Sequence, residues 1–146
     1  MNQLRKLDLI RKIRKVKSRN PRGKEILISI DDYFKGNDEK ICNILTNTLN
    51  DISSAEFEMF LRGVTNLVGV SNVYIRFFDY EDALDFDDSW INSDTVYIVT
   101  KANIDEVEGW FNKFQPSDIY RKSDLNEFAN LPCIEEGFNV IGVWWD

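Results

Sequence analysis

The chain has 146 residues, enough for one domain, with 43% apolar and 13% aromatic residues and a formal net charge of −7. It contains no histidine, which excludes Ser-His-Asp and Cys-His nucleophile systems, His-ligated zinc and the commonest acid–base group at neutral pH. The charge is split: residues 1–24 carry ten of the eighteen Lys/Arg and one acid, about +9, while residues 25–146 carry eight bases against twenty-four acids, about −16.

The first segment is a basic amphipathic helix. Leu4, Leu7, Ile10, Ile13 and Val16 recur every third residue among Arg and Lys, and Asn20-Pro21 with Gly23 closes it. No long apolar stretch or small-residue cleavage site accompanies it, so a secretory leader is not expected and the chain is placed in the cytoplasm. No run approaches the roughly 20 apolar residues of a membrane span. The helix is expected to dock on the acidic body, or else to serve as an arm for a partner, a second copy, a membrane surface or nucleic acid.

Glu25 to Ile30 reads as a short strand. The acidic turn after it, Asp31-Asp32-Tyr33-Phe34-Lys35-Gly36-Asn37-Asp38-Glu39, fails as an EF-hand, because Tyr33 and Lys35 stand where oxygen ligands belong. A helix starting near Asn37 or Asp38 is expected instead, from the spacing of Ile41, Ile44, Leu45, Leu49 and Ile52. A second helix is capped by Ser53 with Glu56 three residues on, and presents Phe57, Phe60, Leu61, Val64 and Leu67. Gly69 ends it, and a strand follows from Val73 to Tyr80.

Six of the ten residues from Asp79 to Asp88 are acidic, with Tyr80, Leu84 and Phe86 among them. Solvated surface is the plain reading. The aromatic interleaving gives the alternative of contact with a basic partner, anchored by Tyr80, Phe86 or Trp90.

Thr95 to Lys101 is the clearest strand, and Asn103 with Glu106 forms a capping box for the next helix, whose face is Ile104, Val107, Phe111 and Phe114. Gln115-Pro116 stops it. Ser123 or Asp124 begins a short helix before Pro132, and Phe138 to Asp146 is a terminal strand in which Trp144 and Trp145 point to opposite faces. Cys42 and Cys133 are expected to be reduced, partly buried thiols.

The order strand, helix, strand, strand, helix, strand is that of an α+β, ferredoxin-like βαββαβ antiparallel sheet with the basic amphipathic helix added in front. Residues 1–24 are taken as that helix and residues 25–146 as the acidic α+β domain. The helix is a candidate cover for the sheet's second face.

No G-x-G-x-x-G, P-loop, nucleophile elbow or H-E-x-x-H is present, so no cofactor, metal or catalytic residue is assigned. The stretches D-D-Y-F-K-G-N-D at 31–38, S-D-T-V-Y-I at 93–98, Trp110 with Pro116, and V-W-W-D at 143–146 resemble a family of small, acidic, uncharacterised bacterial proteins. The resemblance runs from about Ile28 to the end, leaves the basic helix outside, and implies no activity. In size and acidity the chain also resembles the immunity proteins that neutralise bacterial toxins, an analogy of composition.

The expected function is therefore non-catalytic: binding of a basic protein, a toxin being the immunity-like case, through Tyr80, Asp85, Phe86, Asp87, Asp88, Trp90, Asp31, Asp32 and Asp38. Nucleic acid is not expected on the acidic body. Two alternatives stand beside it. One is a carboxylate-based enzyme, working with or without a metal held by Asp31, Asp32, Asp38 and the acids at 85–88. The other is an oligomeric structural protein joined through the basic helix.

Overall fold

The computed structural model describes all 146 residues. The basic helix α1 spans Gln3–Ser18, with Asn2 accepting a cap bond from the Arg5 amide. Then come β1 (Leu27–Ser29), α2 (Ile30–Phe34), α3 (Ser54–Thr65), β2 (Val70–Arg76), α4 (Glu81–Asp85), β3 (Thr95–Thr100), α5 (Ile104–Phe111), β4 (Asp118–Arg121) and β5 (Asn139–Trp144). The fold is α+β with an open, five-stranded antiparallel sheet in the order β1-β2-β3-β5-β4. This agrees with the ferredoxin-like reading, with β4 as an added edge strand.

Strand alternation sorts the side chains into two layers. Ile28, Ile75, Val96, Ile98, Ile141 and Val143 face the helices in one large core, which takes in Leu9, Ile10 and Ile13 of α1 and Phe57 and Leu61 of α3. Leu27, Tyr97, Val99 and Val140 face the other way and pack with Phe128, Leu131, Ile134 and Phe138. All six residues of β3 are therefore buried. The second face is covered by the segment between β4 and β5, and not by the basic helix. That segment also blunts the exposed edge of β1. The Asn130 amide donates to the Leu27 carbonyl (2.9 Å) and its Oδ1 accepts from the Leu27 N–H (2.8 Å), as a neighbouring strand would.

Helix α1 packs on a different face from the one its spacing suggests. Three residues turn about 300° on a helix, so an every-third stripe drifts about 60° per step and winds off the core. Leu4 (77% exposed) and Leu7 lie in water, while Lys6, Leu9, Ile10 and Ile13 are buried.

Local capping is realised where it was written. Asn103 and Glu106 complete their capping box, and Ser53 accepts from the Glu56 amide. Ahead of Ser53 the expected helix from Asn37 is absent. Ser29 caps α2 immediately after β1, and Gly36 at φ 85° ends the turn after it. A Cβ at Gly36 would lie 2.9 Å from the Arg5 Cβ, so the glycine also admits α1. The stretch from Glu39 to Ser53 then runs irregularly around one 3₁₀ turn at Asn43–Leu45. Ile41 and Leu49 are exposed, so the apolar rhythm there is no core face. Both cysteines are free; Cys42 is buried, its thiol pushed up to about 12 by desolvation, but Cys133 is exposed.

Candidate functional site

The acidic stretch after β2 folds into a small knob built on α4. Its base is closed by a bridge between Asp79 and Asn92, the Asn92 N–H donating to the Asp79 carbonyl at 2.9 Å. The Asn92 amide also donates to the Asp79 carboxylate (2.8 Å) and the Asp82 carboxylate (3.2 Å). Ala83 points inward and is buried. Outward point Glu81, Asp82, Leu84 (48% exposed), Asp85, Phe86 (56% exposed), Asp87 and Asp88. None of these acids is in an ion pair.

The knob is held from below by the basic helix. Lys6, only 2% exposed, directs its ammonium at the carbonyls of Phe86 (3.0 Å), Asp87 (3.4 Å) and Ser89 (3.0 Å). A lysine has three donors, and here all three find acceptors. Gln3 Nε2 adds a bond to the Asp87 carbonyl at 2.6 Å. The backbone of the knob is thus pinned while Leu84, Asp85, Phe86, Asp87 and Asp88 stay exposed. In the sequence Lys6 is one of many cations of its helix; only an acceptor set about eighty residues away distinguishes it.

The remaining expected site residues divide. Tyr80 is half-buried, 5.4 Å from the Phe77 ring, with Arg14 and Lys17 over its face at 5.4 and 5.2 Å. Trp90 is fully buried in the helix-side core, which removes it as a surface anchor. Asp31 pairs with Arg62 (2.7 Å) and Asp32 with Lys12 (3.0 Å). Asp38 holds the Met1 amino group at 2.8 Å, and that bond draws its carboxyl below the usual range. The protein's own cations therefore take up Asp31, Asp32 and Asp38. No group of three or more Cys, Asp or Glu is placed to hold a metal ion, so the metal cluster considered for these acids is not assembled.

A second polar assembly went unnoticed in the sequence because its members come from four separate segments. The Glu25 carboxylate lies 3.0 Å from Arg76 Nε, 2.8 Å from Lys122 Nζ and 2.7 Å from the Tyr97 hydroxyl, which in turn meets the Tyr120 hydroxyl at 3.1 Å. The Arg76 contact is an ion pair by distance but too bent to count as a hydrogen bond. Desolvation, then Tyr120 and Glu25, push the Tyr97 hydroxyl up, so it remains a proton donor at neutral pH. Burial works to lower the Lys122 ammonium, but Glu127 and Glu25 outweigh it and hold it above its usual range. Gly142 makes room for this arrangement, since a Cβ there would sit 2.5 Å from Tyr120 Cζ. Two cations answer the carboxylate in place, so the group ties the residues leading into β1 to β2, β3 and the end of β4.

Fold and surface together define an α+β protein with an open antiparallel sheet, whose basic N-terminal helix is built into the core and buttresses an acidic, aromatic knob. The chain belongs to the family described as "Uncharacterized protein YfbO family", whose model matches residues 4–143. That match takes in the basic helix, which the resemblance drawn from motifs had left out. The "Uncharacterized protein YfbO" of Escherichia coli (strain K12) is similar at 22% identity over 131 residues, covering 87% of each chain. No solved structure matches. No helix is long and apolar enough to cross a membrane.

Proposed function

We propose that the protein is a non-catalytic binding protein of the immunity type, acting in the cytoplasm, that covers a basic toxin with its acidic knob. The observation that carries this reading is the pairing of exposed Leu84 and Phe86 with five unpaired acids on a backbone pinned by Lys6. Affinity in such surfaces rests on a few apolar anchors, and on-rate on complementary charge. Pinning the backbone beforehand lowers the ordering cost of association. Asp85, Phe86, Asp87 and Asp88 are the contact residues. Tyr80 supports the knob from beside it, and Trp90 supports it from the core.

The test is a photo-crosslinking residue at position 86 in the native cell, with the product identified by mass. The reading expects a strongly basic protein, lost when Asp85, Asp87 and Asp88 are changed to Asn. No crosslink, or one indifferent to those changes, would refute it.

A further inference from the structure

The cations of the N-terminal region do not all serve the body. Lys12 pairs with Asp32 and Arg11 with Asp8, while Arg14 and Lys17 lie over aromatic rings. Lys15, Arg19, Arg22 and Lys24 form no ion pair, and all four are exposed. Together with Lys12 they line one open cleft of about 720 Å³, floored in part by Val16 and Ala129. No carboxylate residue lines it.

Offsetting the helix dipole accounts for only part of this set. Cations in the last turn of a helix do so, and here these are Lys15 and Lys17. Arg19, Arg22 and Lys24 lie past the helix. Their turn is fixed: Gly23 at φ 68° donates its N–H to the Asn20 carbonyl at 3.2 Å, and the Asn20 amide donates to the Lys24 carbonyl at 2.9 Å. Like charges are thus gathered along one concavity in an otherwise acidic protein, at a cost in mutual repulsion that a bound anion would remove.

We propose that this cleft binds a compact oligophosphate anion, its phosphates held by Lys15, Arg19, Arg22 and Lys24. Forked guanidinium groups suit phosphate oxygens in pairs, and ammonium groups supply point charge beside them. The volume is that of a small-molecule site. A compact ligand is favoured over a long nucleic acid, because a strand leaving the cleft would run over a body of charge about −16. This site is separate from the knob, so its success or failure leaves the toxin-binding reading to its own test.

The probe is inorganic triphosphate, titrated calorimetrically into the full chain at about 50 mM and about 500 mM salt, since exposed charges are screened at the higher value. Binding is expected at low salt and should weaken at high salt. The pair Arg19→Glu and Arg22→Glu should weaken it by at least about tenfold with an unchanged melting temperature. Lys40→Glu, an exposed reversal elsewhere, should leave it unchanged. If the double variant fails to fold, the single Arg22→Gln on the turn carries the test, with a loss again expected. Three results overturn the proposal: no binding of triphosphate at millimolar concentration, equal binding by the Arg22→Gln variant, or binding of a single-stranded RNA decamer without binding of triphosphate. A concentration-dependent dimer abolished by the charge reversals, with no triphosphate binding, would assign the cleft to the acidic surface of a second copy and overturn it as well.

Discussion

Replacing Lys6 with methionine tests the strut between the basic helix and the knob. Methionine keeps the unbranched stem and removes only the ammonium. The carbonyls of Phe86, Asp87 and Ser89 then lose their shared donor. A hydrogen bond involving a charged group contributes about 1.5–3 kcal/mol, and an acceptor left dry costs a similar amount. Three such acceptors set the upper bound. The desolvation cost of the buried ammonium disappears with it and offsets part of the loss. The net destabilisation expected is about 2–4 kcal/mol, a large share of the roughly 5–15 kcal/mol typical of a domain. For a chain of this size that lowers the melting temperature by on the order of 10 °C. Urea denaturation gives the free energy, and hydrogen exchange at residues 86–89 shows where it was lost. A change below about 0.5 kcal/mol, with exchange in the loop unaltered, would refute the idea that Lys6 holds the knob.

Further outcomes follow from the same structure. Gly142→Ala drives a methyl into the Tyr120 ring and breaks its contact with Tyr97, costing about 1–3 kcal/mol by thermal melting; an unchanged melting temperature would show that Tyr120 moves freely. Ile13→Ala, on the buried face of α1, should cost about 2–5 kcal/mol by urea denaturation, and a free arm would lose nothing. Glu39 sits largely buried beside Asn43 and Ser54, and desolvation raises its carboxyl above the usual range. Its folded-state value exceeds the unfolded one, so wild type loses stability relative to Glu39→Gln as pH rises from the ordinary glutamate range through the raised value. The urea midpoint of the variant should gain on wild type between pH 4 and pH 8, and a constant difference would contradict this.

What could be read in the sequence was what is local. The capping box at Asn103 and Glu106, the Ser53 cap and the β3 strand each depend on residues within one turn or one strand, and each is present. The short strand D-I-Y-R of β4 carried no such signal; it exists because β5 offers it an edge. The candidate site was legible as an acidic, aromatic segment, and Asp85, Phe86, Asp87 and Asp88 are indeed exposed. Composition could not show which acids are already answered. Asp31, Asp32 and Asp38 meet Arg62, Lys12 and the Met1 amino group across the fold. Nor could it separate Trp90 from Phe86, four residues apart, one sealed in the core and the other in water. Burial is decided by what packs from elsewhere in the chain.

The role proposed for the knob is to engage a basic partner by charge, with Phe86 as its aromatic anchor. The most direct measurement is the association and dissociation rate of the partner recovered by crosslinking at position 86, at low and high salt. Changing Asp85, Asp87 and Asp88 together to Asn is expected to slow association by about tenfold at low salt and to flatten its salt dependence. Phe86→Ala should leave association nearly intact and speed dissociation by about thirtyfold, equivalent to about 2 kcal/mol. Wild-type rates in both variants would place the interface elsewhere and contradict the account.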